Sequence, residues 1–307
     1  MPRRPPPHDP VGGLEGHAAH GGRGRHDPVR PRATDPEHPA LHRDEGEAMS
    51  LTFSEKAHRY RLDKRPVKGA TTLIGGGIPK PALVPWAART VAEWVDRNPD
   101  EVDRLRSTGE LVPTLSRVHD LVRDKAAMRG TEIHDLGQRY LAGDEVEIPE
   151  AHRPEVEGLV DFIEDLNLHP VVVEKSLANR EHWYAGRVDF IGTSPKLHDG
   201  LPVLIDWKTS NRVYGDTALQ CAAYARAEFW VEDDDPDTEH PMPDVVATYV
   251  AHITVSGVRL HPLATSRKQI DSQFQDFLAA AYIAKTVDKR KNYLGDPVWT
   301  PETKERP

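Results

Sequence analysis

Two short apolar runs carry the residues with the clearest chemical potential. Gly186-Arg-Val-Asp-Phe-Ile-Gly192 delivers Asp189, and Leu204-Ile-Asp-Trp-Lys-Thr209 delivers Asp206 and Lys208. Both runs read as β-strands, and strand side chains alternate with period two. Asp206 and Lys208 therefore share one face while Trp207 points to the other, into a core. Folded as a hairpin, the runs bring Asp189, Asp206 and Lys208 to one end. Hard divalent cations such as Mg²⁺ take oxygen ligands, which Asp189 and Asp206 supply, and the backbone carbonyl of Trp207 is a further oxygen between them and Lys208. An ammonium beside such an ion can hold an attacking water or the charge developing on a phosphate. This is the equipment of phosphodiester hydrolysis. A bare Asp-x-Lys is also a common surface pair. Three features separate this one from that background: Asp206 ends a strand apolar on both faces, Asp189 lies at a hairpin-compatible distance, and Gln220 and Tyr224 follow at i, i+4 on one face of the next helix.

The elements needed to position these residues are legible around them. Leu51–Phe53, Tyr60–Leu62 and Ala70–Ile74 read as extended segments of a small N-terminal hairpin, followed by Gly75-Gly-Gly77 as a hinge or turn. A helix is expected over Trp86–Arg97, with Trp86 and Trp94 in a core. A second is expected over residues 114–128, with Leu115, Val118, Leu121 and Val122 on one side. Gly130 breaks it, and Thr131 caps a third helix through about Leu141. Residues 150–168 form an amphipathic helix through Val156, Leu159, Val160, Ile163 and Leu166. Val171–Leu177 is a strand by β-branching, and the Asp189 and Asp206 strands follow. Asp216 is placed to cap a helix containing Gln220 and Tyr224. Glu232–Glu239 reads as a solvated acidic loop, residues 244–255 and 258–263 as two strands around Ser256-Gly257, and residues 266–285 as a closing helix. This order describes an α/β domain with a mixed sheet.

Composition narrows the class. The chain has 307 residues, 37% of them hydrophobic, and a formal net charge of −9. The apolar deficit is concentrated in residues 1–48, which are rich in proline, glycine, histidine and arginine. Such a segment buries too little surface to offset its ordering entropy. It is expected to be a disordered or non-native extension ahead of Met49, with a single domain over residues 49–300 and a polar tail over 301–307. The negative balance argues against a broad cationic face but leaves room for a local one around acidic metal ligands. One cysteine, Cys221, precludes a disulfide framework and any cysteine-rich metal site. No stretch reaches transmembrane length, so no membrane association is expected.

Read in order, Arg129-Gly-Thr-Glu-Ile-His134, Glu174, Asp189 in Gly-x-x-Asp, Asp206-x-Lys208 and Gln220-x-x-x-Tyr224 resemble the PD-(D/E)xK nuclease superfamily. The match is to its RecB-like exonuclease branch and covers residues 129–225. Ile78-Pro-Lys-Pro-Ala-Leu83 and Trp86-Ala-Ala are similar to the front end of phage-encoded members. The resemblance implies a restriction-endonuclease-like core, a mixed central β-sheet flanked by helices. It makes Asp189, Asp206 and Lys208 catalytic, and His134 a metal ligand alongside Asp189 and Asp206. Glu174 becomes a further metal or water contact, and Gln220 and Tyr224 line the strand near the scissile phosphate. The implied cofactor is Mg²⁺ or Mn²⁺. The implied activity is DNA exonuclease on linear ends in phage or bacterial recombination and repair, in the bacterial or infected-host cytoplasm. A recombinase or single-strand-binding protein is the implied partner. Members that carry an iron–sulfur cluster use four cysteines; Cys221 alone predicts none. Two alternatives share the residues: a structure-specific endonuclease on the same fold, and a decayed DNA-binding recombination module. The retention of Asp189, Asp206 and Lys208 argues against the latter.

Overall fold

The computed structural model of the chain describes residues 51–54, 57 and 59–299. The expectations for residues 1–48 and for the tail at 301–307 lie outside the described residues.

A three-stranded antiparallel sheet comes first, from β1 (Leu51–Ser54), β2 (Arg59–Leu62) and β3 (Arg65–Val67). Leu51, Leu62 and Val67 turn inward and their neighbours outward, and Asp63-Lys64 closes the β2–β3 hairpin with φ of 49° and 61°. Positive φ at both turn residues matches the twist of the flanking strands. Six helices follow: α1 (Ala70–Gly77), α2 (Leu83–Arg97), α3 (Pro99–Thr108), α4 (Leu111–Leu115), α5 (Val118–Leu141) and α6 (Arg153–Leu166). The remainder is β4 (His169–Asn179), β5 (Tyr184–Thr193), β6 (Val203–Lys208), α7 (Asp216–Ala225), β7 (Phe229–Val231), β8 (His240–Pro241), β9 (Ala247–Thr254), β10 (Gly257–Ala264), α8 (Arg267–Lys285) and α9 (Val287–Lys291).

The central sheet has seven strands in the order β10-β9-β6-β5-β4-β7-β8. Only the β6–β9 pair is parallel, and its connection runs through α7, as a parallel pairing requires of a crossover. Helices cover both faces. Leu73, Tyr184, Val188, Leu204, Ala222 and Phe277 belong to a core shared with α1, α7 and α8. Ile133, Leu159, Phe190, Ile205 and Trp207 belong to a second core shared with α5 and α6. The fold is thus the expected α/β class, a mixed sheet flanked by helices. Among the described residues no helix is long and apolar enough to cross a membrane.

Several local expectations are corrected. Ala70–Gly77 is helical, not extended, and its glycines are not a hinge. A Cβ on Gly77 would overlap the Ala280 backbone, and one on Gly76 would lie 3.1 Å from Ala284 Cβ. The glycines let α1 lie directly on α8. Gly130 does not end a helix either; α5 runs unbroken from Val118 to Leu141. Thr131 sits inside it, with Oγ1 donating to the Ala127 carbonyl at 3.2 Å. A Cβ on Gly130 would come within 2.9 Å of Thr209 Oγ1, so the residue serves a close approach between α5 and the end of β6. Gly215, not Asp216, occupies the cap position of α7, without a side-chain cap bond. Trp86 is 36% exposed, with its ring against His119, and α2 has no fully buried residue. Leu121 and Val122 are likewise exposed, at 60% and 47%. The acidic loop is engaged rather than merely solvated: Glu232 pairs with Lys175, Asp233 with Arg187 and Glu239 with Arg180. α8 starts where expected, with Ser266 Oγ accepting from the Gln269 N–H at 3.4 Å.

Candidate metal and catalytic site

The site forms where two strands part. β5 and β6 pair only over Phe190–Gly192 and Val203–Ile205, while β6 stays paired with β9 out to Lys208. Beyond Phe190 the sheet opens a gap, and Asp189 fills it. The Trp207 N–H, left without a partner strand, donates to Asp189 Oδ2 at 2.6 Å. A backbone donor to a carboxylate is a charge-assisted bond, about twice as strong as a neutral one. The N–H and C=O of a strand residue point to the same edge, so the Trp207 carbonyl faces the same gap.

Glu174 stands opposite Asp189, between the pairs Val173–Phe190 and Lys175–Val188, but is itself unpaired in the ladder. Its φ is 49°, the left-handed region. That one residue changes the phase of β4: Val172 and Leu177, five apart, pack into the same core, which strict alternation does not allow. Strained backbone of this kind is found where a side chain must be re-aimed. Arg187 secures the carboxylate, with Nε donating to Glu174 Oε2 at 3.1 Å, and its other nitrogens bond both oxygens of Asp233 at 3.0 Å. Glu174 Oε1 is buried with no hydrogen-bond donor.

His134 completes the group from the opposing helix. Its Nδ1 is 3.5 Å from Glu174 Oε1 and 3.9 Å from Asp189 Oδ1, and its ring meets Trp207 edge-on at 5.7 Å. Gly137, one turn on, makes this docking possible: a Cβ there would lie 2.7 Å from the Trp207 ring and 2.6 Å from Leu159. One ligand atom from each of His134, Glu174 and Asp189 lies within 4.8 Å of the others. Two carboxylates suit a divalent cation of Mg²⁺ or Mn²⁺ type, and the imidazole favours the softer Mn²⁺ of the two. A buried carboxylate oxygen without a donor is the kind of vacancy in bonding that an ion satisfies, so the residues present fit such a group.

Asp206 was expected to share that ion and instead stands beside the triad. It is 1% exposed; Lys208 Nζ is 2.5 Å from its Oδ2, and Gln220 Nε2 donates to its Oδ1 at 2.7 Å. Burial pushes Asp206 up to about 6, with Lys208 opposing and Asp189 adding to the rise. Burial likewise raises Asp189, against His134, Lys208 and the Trp207 N–H. Burial works against the charged forms of His134 and Lys208, but neighbouring carboxylates outweigh it and both titrate above their ordinary values. The result is a buried knot in which the carboxylates favour the charged forms of His134 and Lys208, and those cations offset only part of the rise that burial imposes on Asp189 and Asp206.

Gln220 therefore orients Asp206 in this state. Tyr224, expected along the strand's path, is 4% exposed and lies under β5, where a Cβ on Gly186 would overlap its ring. It is a packing element. Sequence reasoning missed Arg187, although it sits two residues before Asp189 in the same run, and missed the ion pair between Arg129 and the buried Glu155 that ties α5 to α6. No protein-family model matches the chain, and no curated protein matches it in sequence.

Proposed function

We propose that the chain is a divalent-metal-dependent nuclease that hydrolyses phosphodiester bonds, acting on the ends of linear DNA as RecB-like exonucleases of the PD-(D/E)xK superfamily do. The observation that carries the reading is the convergence of His134, Glu174 and Asp189 within 4.8 Å at the parting of β5 and β6, beside the Lys208–Asp206 pair. His134, Glu174 and Asp189 would hold Mg²⁺ or Mn²⁺, with the Trp207 carbonyl facing the same gap. Such an ion, when bound, neutralises charge on the phosphate and acidifies a water.

The protein's own residues supply the rest. Lys208 is 30% exposed, at the edge of the buried knot. Its ammonium can meet a phosphate oxygen or hold the attacking water, while Asp206 fixes its position. Gln220 holds Asp206 in turn, so the cation is set by two successive bonds rather than by its own flexible stem. Fixed charge aimed at where negative charge develops is the largest single source of catalysis in such reactions. Arg187 holds the Glu174 carboxylate from the side of the acidic loop, through Oε2. A role in phage or bacterial recombination and repair, with a recombinase or single-strand-binding partner, follows from the resemblance alone.

The test is release of nucleotides from end-labelled linear DNA with Mg²⁺ or Mn²⁺ by the parent, Lys208→Ala and Asp189→Asn. Removing one fixed stabiliser of transition-state charge costs about 100–1,000-fold in rate. Undiminished release by both variants would sink the reading.

A further inference from the structure

Lys208 and Gln220 also line a cavity of about 210 Å³ next to the triad. Its lining includes Lys80, just after α1, Ser210, Arg212 and Tyr214 in the β6–α7 connection, and Asp216 at the start of α7. Three cations thus face it against one carboxylate, in a chain whose net charge is −9. Lys80 and Arg212 make no ion pair among the described residues. Lys208 is already paired with Asp206, but Lys80 and Arg212 bring two cations without a carboxylate partner to one concavity, which favours an anion there.

The connection is also built to hold its shape. His252 Nε2, 8% exposed on β9, is 2.7 Å from the Ser210 carbonyl, and Ser210 Oγ donates to the Arg212 carbonyl at 2.7 Å. These bonds fix the loop before any ligand arrives, which lowers the ordering cost of binding. Tyr214 is 62% exposed at the cavity's margin. The volume falls below the ~300–1,000 Å³ that encloses a drug-sized ligand. It suits a sugar–phosphate, not a base pair.

We propose that this cavity is a second phosphate site, which takes the nucleotide adjoining the scissile bond of a single strand, with Lys80 and Arg212 on its phosphate and its base stacked on Tyr214. The assignment of the adjoining bond rests on the nuclease reading; the binding site itself stands on the cations, the cavity and the anchored loop. Stacking on an exposed aromatic ring requires an unpaired base, so the strand enters single.

The experiment is fluorescence anisotropy of a short labelled oligothymidylate with the full chain, in chelator and in Ca²⁺, across a salt series. The Lys80→Ala/Arg212→Ala variant is expected to bind about tenfold or more weakly. Its salt dependence should flatten by about 0.7 in log–log slope, for the one phosphate that the two cations neutralise. Tyr214→Ala is expected to weaken binding about 5-fold or more and Tyr214→Phe to retain it, because base–aromatic stacking contributes about 1–3 kcal/mol. A double variant with the parent's affinity and slope overturns the site, as does a parent that binds in neither condition. Duplex of the same sequence binding as tightly as the single strand overturns the single-strand assignment. Binding lost in the variants beside a parent that cleaves nothing removes the nuclease reading and leaves the site. A cleaving parent with an unaffected double variant removes the site and leaves the nuclease reading.

Discussion

Replacing Glu174 by glycine and by alanine separates backbone strain from side-chain chemistry at the centre of the site. Both substitutions delete the same carboxylate and the same bond from Arg187 at 3.1 Å, so those losses cancel in the comparison. In an ordinary strand interior alanine is more stable than glycine by about 0.5–1 kcal/mol, because glycine loses more conformational freedom on folding. Here the backbone has φ of 49°, and an L-residue with a Cβ pays about 1–2 kcal/mol to occupy that region. Glycine does not. The two effects oppose each other, and the larger reverses the usual order, leaving glycine ahead by about 0.75 kcal/mol at the midpoints of the two ranges. For a domain of this size 1 kcal/mol moves the melting temperature by about 2–4 °C, so Glu174→Gly should melt about 1.5–3 °C above Glu174→Ala. Differential scanning calorimetry of the pair, without added metal, decides it. An alanine variant that melts as high as the glycine variant, or higher, refutes the claim that β4 is bent at this point to aim a carboxylate.

Other consequences can be checked alongside. Mn²⁺ at about a hundredfold excess over its dissociation constant should stabilise the parent by roughly 2.7 kcal/mol, a rise of about 5–10 °C. The His134→Ala/Asp189→Asn variant should show no such rise in thermal melts, and an equal shift there would place the ion elsewhere. Gly186→Ala drives a Cβ into the Tyr224 ring, and overpacking of a filled core costs about 1–3 kcal/mol; an unchanged melting temperature would mean that Tyr224 is not held under β5. Asp206 titrates at about 6 in the folded chain, raised chiefly by burial, against an ordinary carboxylate near 4 when unfolded. Its contribution to stability is therefore complete below about pH 4 and lost as the pH rises through about 6. Asp206→Asn should melt above the parent at neutral pH and lose that advantage in acid, and an advantage that grows on acidification would reverse the sign.

The sheet was legible because its strands announce themselves. β4 is β-branched, β5 and β6 are apolar runs, and Ser256-Gly257 marks the β9–β10 turn. What failed were readings in which glycine was taken as a chain breaker. Gly77 and Gly130 are glycine because another element lies against them, α8 in one case and Thr209 in the other, and such contacts between distant segments leave no local signal. The same limit hid Tyr224, whose i, i+4 spacing from Gln220 is satisfied equally by an open edge or by a ring packed under Gly186. Of the candidate site, the residue types could be read, but not their grouping. Glu174 enters through a left-handed backbone conformation that no glutamate advertises. Asp206 leaves the triad because Lys208 and Gln220 occupy its oxygens, a choice made in three dimensions.

The most direct measurement of the central claim is digestion of end-labelled linear DNA beside a covalently closed circle of the same sequence, with Mg²⁺ or Mn²⁺ and with chelator. Metal-dependent loss of label from the linear form, persistence of the circle, and no loss when Lys208 is replaced by alanine are the expected results. Linear DNA left intact by the parent under either metal, or digested equally by Lys208→Ala, would contradict the claim.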